Sequence, residues 1–573
     1  MKSNKIRLNP LFWHDTFLIL AMAILAGCGL IYEYLLSHYA GRVLGAMEST
    51  IYAMIGLMIV AMGLGAFAAR KIVCAFNGFV WLELVIAILG SLSILFIGGF
   101  IALTQTFPLL ISDMFSLPPD ALPRGGILKQ LSFIAFNSPY FFGLLLGFFI
   151  GMEIPLIARI REEIHQKHLK NNIGTIYGAD YIGAGIGAAI WVLFLLTIDI
   201  SKASALTAAL NLIVGSIFIF YYWNKLIWKK TLVFLHLVLF IIVAVVYQQG
   251  NTWLNQMNNL LYLDEVVYSD KTKFQQLTFT QRYMGAKQGS VIGFYLNGRL
   301  QFSSSDEFIY HSYLVTPVLA GSARQENILI IGGGDGLALR DVLKWSPKHV
   351  TLIDLDDELI DIFTYPEKKL PPSLAIQINE LTQKSLQHKN VQVIKHDAFI
   401  AIDSLLEKGK VFDAIIVDLP DPSHPDLNKL YSVNFYARLK QLLAGDGLMG
   451  VQSTSPYHAK NSFISVQKTL EAASFSSVQQ YHDNVPSFGE WGWTIASKMG
   501  ANPLQRIQSL ESLPVEHFWL TLPMIKNSFE FPHNFYSEKA SIPINYLGSH
   551  AIYQLHQNAW QDQQGLNNSY LQE

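Results

Sequence analysis

Seven apolar runs, each long enough to cross a lipid bilayer, fill most of the first 250 residues of this 573-residue chain. They lie near residues 16–38, 50–69, 79–103, 131–158, 173–198, 203–222 and 231–248. An α-helix rises about 1.5 Å per residue, so about 20 apolar residues cross a hydrocarbon core of about 30 Å. The runs predict a multi-pass α-helical membrane domain over residues 1–250, with a lipid bilayer as its partner.

The rest of the chain has the composition of a soluble protein. Only 15% of all residues are charged, and most of that charge lies after residue 250. The net charge of -2 at pH 7 gives no reason to expect a nucleic acid as partner. Both cysteines, Cys28 and Cys74, lie in the apolar half, so the second half can hold neither a disulfide framework nor a cysteine metal site. No metal site is predicted.

Four acidic residues interrupt the apolar runs, namely Glu33, Glu83, Glu153 and Asp180. Acids inside a membrane span are costly and are candidates for a function. They either form a polar network that holds helices together or line a path for cations. We favour the polar network, because apolar spans by themselves do not imply transport.

A strand, a glycine cluster and an amphipathic helix follow one another in NILIIGGGDGLALRDVLKW, residues 327–345. In such units, glycines such as Gly332 and Gly334 allow a tight turn and a close approach of the backbone to a ligand. The next predicted strand, HVTLIDLDDELI, places Asp354 about 20 residues after the glycines, where an acid can accept hydrogen bonds from ribose hydroxyls. The pattern predicts a nucleoside-binding α/β domain.

Two more predicted strands also end in acids. VQVIKHDA (391–398) leads to Asp397, and FDAIIVDLPDP (412–422) leads to Asp418. Open parallel α/β sheets bind ligands at the carboxyl ends of their strands, so these acids are expected to face one cleft.

The acids of that cleft favour a cationic ligand. Asp335 directly follows the glycines, where its charge would attract a cationic ligand tail and repel a carboxylate or a pyrophosphate. This argues against a nicotinamide cofactor and against intact S-adenosylmethionine. Asp418 and Asp421 form a D-x-x-D-P pair that would attract an amine, although Asp421-Pro422 could instead only begin a turn.

Four segments between about 265 and 500 together resemble the spermidine synthase family, especially its membrane-bound bacterial members. They are LNGRLQFSSSDEFIYH (296–311), GGGDG (332–336), DLPDP (418–422) and VPSFGEWGW (485–493). They are similar, in this order, to the family's L-D-G-x-x-Q…D-E…Y-H segment, its cofactor loop, its D-S-S-D-P loop and its Y-P-x-G-x-W-G-F segment. Leu419 and Pro420 replace the two serines of the third motif and leave its carboxylates intact.

The resemblance implies a fold, domain boundaries and residue roles. It implies a multi-span domain (1–250), a small β-strand subdomain (251–323) and a Rossmann-like, methyltransferase-type domain with a C-terminal extension (324–573). For the nucleoside it implies contacts from Gln275, Gln301, His311 and Asp335 to the methionine-derived and aminopropyl parts, from Asp354 to the ribose and from Asp397 to the adenine. For the polyamine it implies contacts from Tyr310 and Asp421, with Asp418 nearest the attacking nitrogen.

The implied activity is that of a polyamine aminopropyltransferase. It would transfer the aminopropyl group of decarboxylated S-adenosylmethionine, a co-substrate, to putrescine or another polyamine, and release 5′-methylthioadenosine. No tightly bound cofactor is expected, and a homodimer is expected because soluble relatives are oligomers. Two alternatives remain open: an S-adenosylmethionine-dependent methyltransferase, and a polyamine transporter or sensor with a catalytically silent domain.

The side of the membrane on which the enzyme half works is left open by the charges. Basic residues at the N-terminus, at 70–71, at 159–170 and at 225–230 fall on one side, which the positive-inside rule assigns to the cytoplasm. Seven spans would then place the second half outside, whereas its nucleoside substrate is a cytosolic metabolite. We expect a multi-pass protein of the bacterial inner membrane and favour a cytoplasmic enzyme half on substrate grounds.

Overall fold

A computed structural model describes residues 10–44, 47–114, 127–262, 264–285, 289–500 and 502–563. The chain divides into two compact units, Met1–Leu263 and Asp264–Glu573, which we name the helical unit and the α/β unit.

The described part of the helical unit contains eight α-helices. They are α1 (Pro10–Leu44), α2 (Met47–Ala68), α3 (Ala75–Met114), α4 (Ile127–Ile150), α5 (Glu153–His165), α6 (Asn172–Leu193), α7 (Ile200–Tyr221) and α8 (Lys229–Leu261). Seven stretches of them are long and apolar enough to cross a membrane, with α4 and α5 together forming the stretch Gln130–His165. These stretches coincide with the seven predicted runs. The basic residues among the first nine positions lie outside the described residues.

The last helix of this unit continues past the predicted domain boundary at residue 250. Apolar residues end near 248, but α8 continues to Leu261 through the polar segment NTWLNQMNNLL. Asparagine and glutamine end the apolar pattern without ending the helical hydrogen bonding, so the boundary between the units falls at residue 263 instead.

The α/β unit begins with a four-stranded antiparallel sheet in the order β1-β2-β3-β4. Its strands are β1 (Glu265–Lys271), β2 (Gln276–Tyr283), β3 (Ser290–Leu296) and β4 (Arg299–Ser303). The alternation of strand side chains places Phe279, Phe294 and Phe302 on the buried face. There they pack against Phe363, with ring centroids 5.2–6.2 Å apart, which anchors the small sheet on the rest of the unit.

A seven-stranded sheet forms the centre of the α/β unit, in the order β10-β11-β9-β8-β5-β6-β7. Its strands are β5 (Asn327–Gly332), β6 (His349–Asp354), β7 (Val391–Lys395), β8 (Phe412–Asp418), β9 (Leu443–Gln452), β10 (Ser477–Val485) and β11 (Gly489–Ser497). Strands β5 to β9 are parallel, β11 pairs with β9 in the antiparallel direction, and β10 pairs antiparallel with β11. The central strands β5 and β8 are continuous apolar runs because helices cover both faces of a parallel sheet.

Eleven helices surround this sheet in the described part of the unit. They are α9 (Glu307–Gly321), α10 (Leu337–Leu343), α11 (Asp357–Thr364), α12 (Pro372–Thr382), α13 (Ala398–Glu407), α14 (Pro425–Asn428), α15 (Val433–Leu442), α16 (Lys460–Ala472), α17 (Pro503–Gln508), α18 (Leu522–Asn527) and α19 (Ala551–Gln563). Nearly every residue of α9 is buried, because it packs on the sheet beside β8, β9 and β11.

The strand order brings the predicted acids to one edge of the sheet. Strand β5 lies between β6 and β8, so the glycine loop, Asp354 and Asp418 share the carboxyl ends of three adjacent strands. Asp397 differs from its prediction, because β7 ends at Lys395 and Asp397 caps α13, accepting a hydrogen bond from the amide of Phe399 at 2.8 Å. The Rossmann-like domain predicted from the sequence is thus observed, preceded by a small β-sheet.

Candidate active site

The glycine loop after β5 packs directly against the end of β8. Gly332 and Gly333 have φ angles of +80° and +65°, which residues with a side chain rarely adopt. The amide of Gly333 donates to the carbonyl oxygen of Asp418 at 3.0 Å. A Cβ on Gly332 would lie 2.0 Å from that same oxygen, so only glycine allows this approach.

Asp354, at the end of β6, holds the other side of the loop. Its two carboxylate oxygens accept from the amides of Gly334 and Asp356, each at 3.0 Å. A Cβ on Gly334 would lie 2.9 Å from this carboxylate. Burial raises the pKa of Asp354 to about 6, although the two amide hydrogen bonds oppose the shift. The two amides hold the carboxylate at the end of β6, and its contact with the ribose stays a prediction.

Asp418 and Tyr310 form the polar centre of the cleft. The hydroxyl of Tyr310 donates to Oδ1 of Asp418 at 2.8 Å. Burial raises the pKa of Asp418, opposed by the nearby His311 and by this hydrogen bond. Burial and the Asp418 charge also raise the pKa of Tyr310, so the phenol stays protonated and acts as a donor.

Asp335 adds a second carboxylate near Asp418. Its Oδ1 accepts from the amide of Leu337 at 2.9 Å, which fixes the side chain at the start of α10. Burial raises its pKa to about 6, His311 opposes that shift, and the charge of Asp418 adds to it. Two carboxylates that disfavour each other's ionisation form a site that a cation stabilises.

A buried ion-pair network of Glu307, His311 and Arg340 interacts with these acids through His311. Nδ1 of His311 lies 2.8 Å from Oε2 of Glu307, and Arg340 donates to both oxygens of Glu307 at 2.7 and 3.1 Å. Burial alone would lower the pKa of His311, but Glu307, Asp418 and Asp335 raise it to about 9. His311 is therefore a buried cation between Glu307 and the two cleft acids.

Sequence reasoning missed Glu307 and Arg340 as parts of the site. Glu307 is the glutamate of the segment 296–311 and lies four residues before His311, a spacing that places both on one helix face. That spacing was an available signal. Arg340 had none, because its contact with Glu307 joins two different helices.

The carboxylate of Asp421 contacts three other side chains of the protein. It accepts from Gln452 at 3.1 Å and from Thr454 at 3.3 Å, and lies 3.1 Å from Nε2 of His556 on α19. Thr454 has a φ of +65°, an uncommon conformation for a β-branched residue. Burial would raise the pKa of Asp421, but the bonds from His556 and Gln452 lower it. No motif pointed to His556, which lies far along the chain in the C-terminal extension.

Three aromatic rings pack against Tyr310, and one of them, Trp493, is fully buried. The rings of Phe488, Trp491 and Trp493 lie with centroids 5.8–6.4 Å from that of Tyr310. All three belong to the segment VPSFGEWGW, which the turn between β10 and β11 carries to this position. Of the three, Phe488 and Trp491 keep partly exposed surface that could contact the methylene chain of an aliphatic amine.

Three predicted nucleoside contacts lie at the margin of this cluster and stay predictions. The side-chain amide of Gln275 donates to the carboxylate of Asp356 at 2.8 Å, and the backbone amide of Asp356 donates to Asp354. Gln275 is therefore linked to Asp354 through Asp356. Gln301 donates to backbone carbonyls of its own strand, those of Arg299 and Leu300. Oδ2 of Asp397, the carboxylate oxygen that does not cap α13, lies 2.6 Å from Nζ of Lys429.

Gly332→Ala tests the loop geometry. We expect it to lower the free energy of unfolding by about 2–5 kcal/mol, from the left-handed φ and the collision with the Asp418 carbonyl. Gly409→Ala is the matched control, since Gly409 has a φ of +62° but open space around it, and should cost about 1–2 kcal/mol. Urea unfolding of the full-length protein measures both. Equal losses would mean that the close approach contributes nothing.

Comparison with known proteins identifies the family. The Spermine/spermidine synthase domain matches residues 307–508. The chain is 56% identical over 559 residues to the polyamine aminopropyltransferase of Shewanella oneidensis, and the alignment covers 97% of each chain. The chain belongs to the polyamine aminopropyltransferase family. The predicted resemblance and the prediction of a transferase are confirmed.

A more distant relative also aligns along almost the whole chain. Polyamine aminopropyltransferase 1 of Streptomyces coelicolor is 31% identical over 570 residues, again with 97% of each chain aligned. The helical unit is therefore common to this aminopropyltransferase and its relatives. The crystal structure of spermidine synthase from Thermotoga maritima aligns with 48% of this chain and 88% of its own, at 22% identity and a TM-score of 0.40.

Proposed function

We propose that this aminopropyltransferase uses decarboxylated S-adenosylmethionine as donor and putrescine as acceptor, and releases 5′-methylthioadenosine. The observation that carries the proposal is the pair of carboxylates, Asp335 and Asp418, at the edge of the glycine loop. Asp335 suits the ammonium end of the donor, and Asp418 suits the attacking amine of the acceptor. A nearby cation stabilises the ionised form of a buried carboxylate.

The donor preference rests on the charge of Asp335. Intact S-adenosylmethionine carries a carboxylate, which Asp335 would repel. The decarboxylated form carries only its ammonium group there, which Asp335 would attract. This same argument disfavours the methyltransferase alternative.

The chemical step is an in-line displacement. The amine nitrogen attacks the aminopropyl carbon bonded to the sulfonium, a C–N bond forms, and the C–S bond breaks. The electron pair of that bond goes to sulfur, so the leaving group is a neutral thioether and needs no acid. The difficulty is the amine, which has a pKa of about 10 and is mostly protonated near neutral pH.

Asp418 would orient the attacking amine and accept its proton. Tyr310 holds the carboxylate by one oxygen, which leaves the other free for the amine. The raised pKa of Asp418 makes it a better base than an exposed carboxylate. Asp335 fixes the donor, so both cations are held in attack geometry, an effect that can supply several of the about 7–11 kcal/mol known for oriented reactions.

The decisive experiment measures 5′-methylthioadenosine release by the detergent-purified, full-length protein. It is given decarboxylated S-adenosylmethionine with putrescine, with spermidine or with no amine. We expect amine-dependent release that is fastest with putrescine. Release of 5′-methylthioadenosine with spermidine but not with putrescine would mean that spermidine is the acceptor. Binding of intact S-adenosylmethionine with no release of 5′-methylthioadenosine would overturn the proposal.

Donor binding should depend on pH. Asp335 and Asp354, with pKa values of about 6, must be ionised to attract the ammonium group and to accept from the ribose. They become protonated as the pH falls, so we expect the Kd for the donor to rise below about pH 6. Equilibrium dialysis without amine measures this, and Asp354→Asn should make the dependence shallower. A Kd that is constant between pH 5 and 8 would contradict the assigned roles.

We also propose a place for the protein in the cell. The seven apolar stretches support insertion of the helical unit into the bacterial inner membrane. The cytosolic origin of the nucleoside supports a cytoplasmic α/β unit. Protease protection in right-side-out and inverted membrane vesicles tests this, with cleavage of the α/β unit expected only in inverted vesicles. A homodimer stays a prediction.

A further inference from the structure

We propose that the helical unit contains a binding site for a primary ammonium group, formed by Glu83, Glu153 and His236. The site lies wholly within that unit. It is independent of the function proposed above, because none of its residues belongs to the α/β unit.

Three buried hydrogen-bond acceptors are left without partners here. Among the described residues, Oε1 of Glu83, Oε2 of Glu153 and Nε2 of His236 make no hydrogen bond. The three residues are only 0%, 1% and 3% exposed. Nδ1 of His236 lies 2.9 Å from the carbonyl oxygen of Leu232, so it carries the proton and leaves Nε2 of a neutral ring as an acceptor. Buried polar atoms are normally satisfied, so each of these atoms lacks an expected donor.

Glu83 and His236 lie beside the same glycine. A Cβ built on Gly215 of α7 would lie 2.7 Å from Nε2 of His236 and 3.4 Å from Cβ of Glu83. The other oxygen of Glu83 accepts from Asn211 at 2.9 Å, which fixes the carboxylate and leaves Oε1 free.

Glu153 belongs to the same cluster. Helix α5, which begins at Glu153, packs against α1 and α3, the helices that carry Tyr32 and Glu83. The two carboxylates are close enough to act on each other and on the buried hydroxyl of Tyr32. That hydroxyl donates to Oδ1 of Asn211 at 3.4 Å. Side chains from α1, α3, α5, α7 and α8 thus meet in one buried polar group.

A two-residue turn, Gly151–Met152, interrupts the regular helix directly before Glu153. Helix α4 ends at Ile150 and α5 begins at Glu153, although both belong to one apolar stretch. Pro155 has no N–H to continue the helical ladder across this point. In membrane transport proteins, more strongly broken helices surround substrate and ion sites.

A ligand that suits these acceptors donates hydrogen bonds and carries positive charge. None of the ion pairs found among the described residues of this unit reaches Glu83 or Glu153; those pairs involve Asp15, Glu162 and Asp199. A buried carboxylate needs a counter-charge or a proton. A primary ammonium group carries one positive charge and three N–H donors, one for each free acceptor.

Putrescine binding to the detergent-purified, full-length protein tests the site by equilibrium dialysis. We expect the Glu83→Gln/Glu153→Gln variant to bind one equivalent of radiolabelled putrescine fewer than wild type, whatever amount the α/β unit binds. Glu33→Gln, which neutralises another buried acid of the same unit, should bind as much as wild type. A double variant that binds as much as wild type would overturn the proposal. A loss of binding in Asp418→Asn would concern only the α/β unit.

Competition tests the role of the N–H groups. Propylammonium should displace putrescine from the site in the helical unit, measured in the Asp418→Asn background. Tetramethylammonium has the same charge and no N–H, and should not. Equal displacement by both ions would show that the three acceptors do not recognise the ligand.

Carbodiimide labelling of the wild-type protein covers the case in which the double variant fails to fold. The reagent forms an N-acylurea on protonated carboxyl groups, which mass spectrometry locates. Putrescine should reduce labelling at Glu83 and Glu153 and leave labelling at Glu33 unchanged. If putrescine changes labelling at none of the three residues, Glu83 and Glu153 are protonated and do not bind the ammonium group. That result would contradict the proposal.

Discussion

Asp418→Asn is expected to lower kcat by a factor of about 10²–10⁴ while it changes the Kd of the donor nucleoside less than about threefold. Asparagine keeps the shape of the side chain and the backbone carbonyl that accepts from Gly333. It removes the charge that orients the attacking amine and accepts its proton. Single-turnover release of 5′-methylthioadenosine gives the rate, and equilibrium dialysis gives the Kd.

Tyr310→Phe is the matched control for this substitution. It removes the hydrogen bond to Oδ1 of Asp418 and leaves the carboxylate in place. We expect a loss of about tenfold in kcat, the size of one hydrogen bond of about 1.4 kcal/mol. Equal losses of kcat and of donor affinity in Asp418→Asn would contradict the assignment of Asp418 to the amine, because they would place it on the nucleoside instead.

Glu307→Gln is expected to lower the free energy of unfolding by about 3–5 kcal/mol, because it leaves the buried charges of Arg340 and His311 without their shared partner. Urea unfolding of the full-length protein, followed by tryptophan fluorescence, measures the loss. The exposed ion pair of Glu358 with Lys369 provides the control, and Glu358→Gln should change stability by less than about 1 kcal/mol. Similar losses in both variants would show that burial of the network has no energetic consequence.

The same network sets a pH dependence of stability. The folded-state pKa of His311, about 9, lies above its usual value of about 6.5. Its contribution to stability is therefore complete below about pH 6.5 and is lost as the pH rises through about 9. The hydrogen bonds from His311 and Arg340 hold the pKa of Glu307 at about 2 against burial, so its contribution is lost as the pH falls from about 4.5 towards 2. Glu307→Gln should flatten both parts of the profile.

The position of the cleft was predictable because it depends on short-range patterns. The glycine loop, Asp354 and Asp418 each follow a buried apolar run, and the carboxyl ends of parallel strands meet at one edge whatever the surrounding packing. The seven apolar stretches were predictable for a similar reason, since length and composition alone decide them.

The state of each acid was not predictable, because it depends on groups distant in sequence. The segment DLPDP predicted that Asp421 would bind the polyamine, yet His556 on α19 contacts its carboxylate. The charge of His311 depends on Glu307, which is itself held by Arg340 on another helix. Burial and partner charges determine pKa values, and both arise only when distant segments pack together.

The sequence by itself determined the two-part architecture, the sheet edge on which the acids lie and the resemblance to spermidine synthases, because local hydrophobic periodicity and contiguous motifs encode them. Only the tertiary structure decided which acids are free to bind a cation. It pairs Asp397 with Lys429 and Asp421 with His556, brings Asp335 close enough to Asp418 for their charges to interact, and leaves the acceptors of Glu83 and Glu153 unsatisfied. A carboxylate's neighbours come from other elements of the fold, so its chemistry is fixed by packing and not by its motif.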